Sequence, residues 1–364
     1  MMQFAAMDYS ARRRRLAEAV ARRRLGALLV THPPNVQYLC GFTGSSAVLI
    51  AGVAQPLLIT DGRYTEQAQA EVQDVRVAIS KGALLTEAAR RLERLKLAAI
   101  GIEADHISAA LRAAFRRLLP PRIRLRDTSA VVEQLRVVKE PAEVERIRAA
   151  VLTASSLFEP LLKVIRPGAA ETTVAGELEF AARRAGAEGM SFETIVASGV
   201  RSALPHGRAS AAPVPERGFV ILDYGVRIAG YCSDMTRTVH VGTPDRRARS
   251  IYDAVLAAQQ AATEAVKPGV AVQDVDRAAR TVLQRAGLGR YFTHSTGHGV
   301  GLEIHEAPRL ARSQPEELRP GMIVTIEPGA YISGFGGVRI EDMVRVTGTG
   351  YEVLTPTSRE LIVL

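Results

Sequence analysis

Gly218-Phe-Val-Ile-Leu-Asp223 is an apolar run that ends on a carboxylate, and a little over one hundred residues later Gly321-Met-Ile-Val-Thr-Ile-Glu327 does the same. Short apolar runs bounded by turn residues read as buried strands. The echo extends beyond the strands. Ile165-Arg-Pro-Gly168 lies between two helical stretches, the second ending in Arg184-Ala-Gly186. Val266-Lys-Pro-Gly269 lies between two more, the second ending in Arg285-Ala-Gly287. Two copies of helix, Pro-Gly turn, helix and strand predict two half-domains around a pseudo-twofold axis. Each copy then supplies one strand-end carboxylate to the seam between the halves, where pockets tend to form.

Three more residues join that pair. Asp234 follows Asp223 in Cys232-Ser-Asp234-Met, and Gly225 and Gly230 between them fit the return of a hairpin, which sets the two aspartates side by side on neighbouring strands. His298 lies in the glycine-rich Gly297-His298-Gly-Val-Gly301, and Glu341 in Arg339-Ile-Glu341-Asp342. On a strand Arg339 and Glu341 share a face. Acidic side chains are almost never fully buried unless paired, and brought together without a cation some of them must protonate. Four carboxylates against two divalent ions balance in charge. With one imidazole they make an oxygen-rich set suited to Mn, Co, Fe or Zn. Alone, each of these residues reads as a surface acid or a satisfied core polar group. Their shared strand-end and glycine-rich contexts make Asp223, Asp234, His298, Glu327 and Glu341 a candidate two-metal set.

With Ser202-Ala-Leu-Pro-His206-Gly and the run from Gly297-His298 to His305-Glu306 added, the chain resembles the "pita-bread" metallopeptidases. That group includes Xaa-Pro dipeptidase (prolidase), aminopeptidase P and methionine aminopeptidase, with creatinase as a metal-free relative. The resemblance is strong over residues 130–364, where the motifs occur in order with no ligand missing. Tyr38-Leu-Cys-Gly-Phe-Thr-Gly44 and Thr60-Asp-Gly-Arg63-Tyr64 extend it more loosely towards the N-terminus. It implies an α/β (α+β) fold: a creatinase-like mixed α/β domain over residues 1–130, then a pita-bread catalytic domain over 131–364. It implies two divalent ions, Mn2+ or Co2+ with Zn2+ or Fe2+ as alternatives, bridged by the two aspartates and Glu341. His298 and Glu327 would bind one ion. Glu327 would act as general base and return its proton to the proline imide nitrogen. His206 and His305 would assist proton transfer and hold substrate, His294 would line the site, and Arg339 would neutralise carboxylate charge through Asp234.

The residues alone leave these histidines open, since a lone histidine is more often structural. His298 and His305 would point to opposite faces of a regular strand, and Gly299 and Gly301 permit the bulge that re-aims them. For Arg339 the plain reading is a surface salt bridge, worth little.

Composition sets the remaining bounds. The chain has 364 residues, enough for two domains, and carries a net charge of +9. Of 47 Lys+Arg and 38 Asp+Glu, residues 1–135 hold 20 and 12, leaving 27 and 26 beyond them. The charge therefore belongs to the N-terminal part, where Arg12–Arg15 and Arg22–Arg24 recur at helical spacing and read as the solvated face of an amphipathic helix. No nucleic-acid partner is expected. No run is long and apolar enough for a membrane span. Two cysteines, Cys40 and Cys232, give no disulfide framework and suit a cytoplasmic home. Met1, Met2 or Met7 is the expected start.

Strands alternating with helices predict a mixed sheet in the N-terminal domain. Residues 8–25, 65–72, 84–97 and 108–119 read as helices, and 27–30, 38–42, 46–50, 56–60 and 98–102 as strands. Residues 131–140 read as the linker.

Methionine aminopeptidase is disfavoured by the N-terminal domain, creatinase by the complete ligand set, and a non-enzymatic binding module on this fold by the same. The expected substrate is a proline-containing di- or oligopeptide. The compact two-domain chain favours the dipeptidase over aminopeptidase P. A homodimer formed through residues 1–130 is expected. A dipeptide's carboxylate would suit a buried arginine; Arg201, Arg208 and Arg237 lie near motif residues and Arg63 in the N-terminal domain, but the sequence places none of them at that spot.

Overall fold

The structure, a computed structural model, describes residues 4–364 and divides into two compact units. One comprises residues 6–136; the other comprises residues 4–5 and 137–364. Met1 and Met2 lie outside the described residues.

The smaller unit begins with helix α1 (Tyr9–Arg22), started by the Asp8 carboxylate, which accepts from Ala11 N at 2.8 Å. There follow β1 (Leu28–Val30), α2 (Pro33–Cys40), β2 (Ala47–Ala51), β3 (Leu57–Asp61), α3 (Thr65–Glu71), β4 (Arg76–Ser80), α4 (Leu84–Arg94), β5 (Ala99–Glu103), α5 (Ala109–Leu118), β6 (Arg124–Thr128) and the single turn α6 (Glu133–Arg136). The strands form one mixed sheet in the order β4-β3-β2-β1-β5-β6. The edge strands β4 and β6 are largely solvated, with only the short run Val77-Ala78-Ile79 in β4 and none in β6, and they were not expected from the sequence.

Two expectations are corrected here. Tyr38–Phe42 is no strand: Tyr38-Leu-Cys40 is the last turn of α2. Pro33 and Pro34 open that helix, the Glu103 carboxylate accepts from Thr31 N (2.7 Å) and His32 N (2.9 Å) ahead of it, and Gly41 closes it at φ 86°. The arginines of α1 are not one solvated face either. Arg12 is 1 % exposed, lies 4.1 Å from the Tyr38 ring centroid and donates to Tyr38 O at 3.0 Å. An aromatic face and a carbonyl replace the water that a guanidinium otherwise demands.

The division between units falls at 136/137, inside the expected linker. Arg136 belongs to the smaller unit because its buried guanidinium donates to Asn35 Oδ1 at 2.7 Å.

The larger unit runs α7 (Pro141–Ser156), α8 (Phe158–Leu162), α9 (Glu171–Arg184), β7 (Gly189–Met190), β8 (Ile195–Ser198), β9 (Gly218–Tyr224), β10 (Val226–Ile228), β11 (Tyr231–Cys232), β12 (Met235–Val241), α10 (Arg246–Glu264), α11 (Val272–Arg285), β13 (Gly297–Gly299), β14 (Glu306–Leu310), β15 (Ile323–Ile326), β16 (Gly329–Ile332), β17 (Gly336–Arg339), β18 (Asp342–Val346) and β19 (Tyr351–Val353). Its sheets are ordered β12-β9-β8, β11-β10-β7, β14-β13-β15-β18-β19 and β16-β17.

The repeat is visible in conformation as well as sequence. Gly168 and Gly269 adopt φ 83° and 81°, and Gly186 and Gly287 adopt 92° and 74°. A Cβ at any of the four would meet nothing within 4 Å, so the left-handed backbone, not crowding, demands glycine there. Each copy also buries its own core. Val174 and Leu178 of α9 pack with Val220, Leu222 and Val239, and Val275 and Leu283 of α11 with Val324, Ile326 and Val344. Among the described residues no helix is long and apolar enough to cross a membrane.

Candidate active site

A cavity of about 720 Å3 opens within the larger unit. Asp223, Asp234, His298, Glu327 and Glu341 all line it. Asp223 is the penultimate residue of β9, opposite Thr236 of β12, and Asp234 immediately precedes β12. Glu327 follows β15, and Glu341 sits between β17 and β18. Asp234, His298 and Glu341 each offer a ligand atom within 4.8 Å of the others, a group able to hold a metal ion.

His298 shows what this arrangement is built to hold. Its Nδ1 faces the carbonyl of Gly299 at 3.0 Å, and burial lowers its pKa. A neutral ring facing a carbonyl must carry its hydrogen on Nδ1, so Nε2 presents a lone pair. That lone pair faces Asp234 Oδ2 at 3.6 Å and Glu327 Oε1 at 3.5 Å. Asp223 Oδ1 and Asp234 Oδ1 are buried with no hydrogen-bond partner. Burial pushes Glu327 up to about 7. Burial and the neighbouring carboxylates hold Asp234 and Glu341 well above the usual range. Acceptors facing acceptors in a dry site fit a cation between them.

Arg339 pairs with Asp223 and not, as expected, with Asp234. β17 brings its guanidinium against β9, and Nε donates to Thr236 Oγ1 at 3.1 Å while Nη1 donates to Pro205 O at 2.9 Å and Tyr331 Oη at 2.7 Å. The pair is buried rather than superficial, with side-chain exposures of 4% and 10%. Tyr331 in turn meets His294 Nε2 at 2.9 Å, and His294 Nδ1 meets Ser295 O at 2.8 Å. Burial lowers His294 to about 4, so the ring is neutral, donates through Nδ1 and accepts from Tyr331 through Nε2. The direction of every proton in the chain from Arg339 to Ser295 is thereby set.

His206, His294 and His305 all line the cavity. The bulge expected beside His298 is present as a register shift between His298 and Gly299 in the β13–β14 ladder. It sets the His298 and His305 rings edge to face, with centroids 4.4 Å apart. Gly297 and Gly299 are forced by proximity: a Cβ would lie 1.9 Å from Thr325 O in one and 2.2 Å from Ala307 O in the other.

Of the four arginines proposed from sequence, Arg208 alone lines the cavity, paired with Glu193 at 2.8 Å. Arg237 is buried on Asp342, Arg201 pairs with Glu171, and Arg63 with Asp61 in the smaller unit. Sequence reasoning missed Tyr331 and Arg309. Arg309 lines the cavity, stands opposite His298 in the β13–β14 ladder and has no partner among the described residues. Its signal was its place just beyond His305, which only the bulge makes meaningful.

A cavity in which acceptors demand a cation, open to a ligand and rimmed by charge, suits metal-dependent hydrolysis. Comparison with known proteins makes the class specific: the chain belongs to metallopeptidase family M24, whose model matches residues 145–348, and the Creatinase/Prolidase N-terminal domain model matches residues 12–138. The Xaa-Pro dipeptidase of Pyrococcus furiosus is 38% identical over 337 residues, covering 92% of this chain and 94% of that protein. A solved Xaa-Pro dipeptidase from Bacillus anthracis superposes with TM-score 0.95 at 40% identity, covering 98% of this chain and 100% of that one. An X-Pro aminopeptidase from Thermotoga maritima superposes with TM-score 0.89 at 34% identity, covering 95% of this chain and 100% of that one.

Raised carboxylate pKa values fix the sign of a stability effect. The folded, metal-stripped protein holds protons that the unfolded chain releases, so it should lose stability as pH rises from about 4.5, the ordinary glutamate value, to about 7 and beyond. Added Mn2+ should abolish that loss, and at one hundred times its Kd should stabilise by about 2.7 kcal/mol. In stripped protein at pH 7.5, Asp234→Asn should raise the melting temperature, because an amide needs neither a bound proton nor a buried charge there. Melting curves across pH with and without Mn2+ are the check, and a flat profile for stripped protein would contradict this account.

Proposed function

We propose that the protein is an Xaa-Pro dipeptidase that hydrolyses the imide bond of dipeptides ending in proline. The observation that carries this reading over the aminopeptidase is Arg309. It is an exposed guanidinium without an ion-pair partner, across the ladder from His298 and on the cavity wall. A dipeptide puts its free carboxylate next to the proline ring, where a guanidinium can take it bidentately. A longer peptide has an amide there and gains nothing from it. The dipeptidases among the similar proteins support the same reading.

In this proposal Asp223, Asp234, His298, Glu327 and Glu341 hold two divalent ions, Mn2+ or Co2+. Bound there, such ions activate water and polarise the scissile carbonyl. Glu327 takes the proton of the attacking water and delivers it to the proline nitrogen, which as part of a tertiary amide must be protonated to leave. Its place beside the ions at the end of β15 puts the Glu327 carboxylate within reach of both the water and the leaving nitrogen in this proposal. His206 and His305 contact substrate and assist that transfer. His294, kept neutral and oriented by Tyr331, lines the substrate side. Arg339 offsets the charge of Asp223. Two buried free cysteines suit a reducing cytoplasm.

Chelation should abolish turnover, and Mn2+ or Co2+ should restore it. Glu327→Gln should lower kcat by about 10²- to 10⁴-fold. Full activity in metal-free protein, or an unimpaired variant, defeats the chemistry proposed.

The substrate-length assignment rests on a ratio. For the same residues, kcat/KM on an Xaa-Pro dipeptide should exceed that on the Xaa-Pro-Xaa tripeptide, and Arg309→Met should erase the preference mainly through KM. A tenfold advantage for the tripeptide, about 1.4 kcal/mol, would make the protein an aminopeptidase P.

The family resemblance also supports a homodimer formed through the smaller unit. Sedimentation at micromolar concentration should give a dimer; a fully active monomer would refute it.

A further inference from the structure

Glu171, the first residue of α9, does not line the cavity, yet it is 0 % exposed and carries a carboxylate. Both of its oxygens are in use. Oε1 accepts from Ser198 N (2.8 Å) and Ser198 Oγ (2.9 Å). Oε2 accepts from Ser210 N (3.1 Å) and Ser210 Oγ (2.7 Å). Arg201 Nε donates between them, at 3.3 Å and 3.0 Å. Ser198 and Ser210 are the two ends of the segment that carries His206 into the cavity. Arg201 adds a tie within it, its Nη2 donating to Arg208 O at 2.8 Å.

An acid in the first turn of a helix gains about 0.3–1 kcal/mol from the helix dipole with no further partner. That gain explains neither the complete burial nor the choice of partners. A desolvated carboxylate is costly unless every lone pair is met, and here the set that meets them is the two roots of one loop and the arginine between. The tip of the loop is held from the other side: Ser202 Oγ accepts from Gly337 N at 2.8 Å, and Arg339 donates to Pro205 O at 2.9 Å. His206 itself has no hydrogen-bond partner among the described residues, so its place depends on the backbone that carries it.

We propose that Glu171, together with Arg201, is a positioning residue for peptide hydrolysis: it clamps both roots of the Ser198–Ser210 segment and so presents His206 to the substrate. This rests on the reading of His206 as a substrate contact. It follows that loosening the clamp costs activity chiefly through His206.

A double-mutant cycle on the full-length, Mn2+-loaded enzyme tests it. Arg201 is partly exposed, with 32% of its side chain accessible, so Arg201→Ala opens the clamp without emptying a core. Arg201→Ala should lower kcat/KM for an Xaa-Pro dipeptide about tenfold in the wild-type background and less than about twofold in His206→Ala. Arg201→Lys, which keeps a cation beside Glu171, should recover most of the loss. Glu171→Gln, where it folds, should show the same non-additivity. Losses that add in the double variant, or an Arg201→Ala enzyme as active as wild type, overturn the proposal while leaving the role of His206 intact. An undiminished His206→Ala enzyme overturns that role and the proposal with it.

Discussion

Four carboxylates and an imidazole lone pair share one cavity, and the larger unit is arranged around the repulsion among them. Three of the acids, Asp234, Glu327 and Glu341, are held above their ordinary range, chiefly by burial. A single guanidinium, Arg339, lies among them and bonds to one acid, Asp223. Without cations the site relieves that charge by holding protons, and cations between the oxygens would compensate it directly. That constraint explains why each acid stands at or beside the end of a strand: a strand end fixes the backbone rigidly while leaving one side chain free of the ladder. It also explains why Arg339 is fully engaged, with Thr236, Pro205, Tyr331 and Asp223 all accepting from it. A guanidinium free to rotate would compete with the ions for the same oxygens.

The parts legible in the sequence were those governed by local backbone rules. The Pro-Gly turns, the matched glycines and the apolar runs ending in Asp223 and Glu327 each reflect a short-range requirement, and all appear in the fold where the repeat placed them. The bulge beside His298 was readable because glycine is what permits it. What escaped was decided by partners distant in the chain. Tyr38-Leu-Cys40 has the composition of a strand, but Glu103 and the paired prolines make it a helix end. Arg12 carries a charge that periodicity places in water, while Tyr38 draws it inside. Arg339 chose Asp223 over Asp234 because of how β17 lies on β9, which no spacing reports. Tyr331 and Arg309 belong to no motif in isolation, and their meaning comes from His294 and from the ladder opposite His298.

The smaller unit shows the same division between local and distant causes. Its interior strands announce themselves by longer apolar runs, while β4 and β6 are largely solvated and are each held by one parallel neighbour. Its buried charges, Arg12, Glu103 and Arg136, each bond to a group elsewhere in the chain.

The bonds that join the two copies of the repeat span long stretches of chain: 105 residues from Thr236 to Glu341, 116 from Asp223 to Arg339 and 101 from Thr238 to Arg339. During synthesis, at about 5–20 residues per second, the first copy leaves the ribosome on the order of 5–20 s before its partner. Through that interval the outer edge of β12 has no neighbour. Asp234 at its start, Arg237 along it and Asp223 beside it are then in water, where charge is cheap, and a charged edge resists pairing with the strand of another nascent chain. The side chains later enclosed within the larger unit would thus act first as guards of its unfinished half.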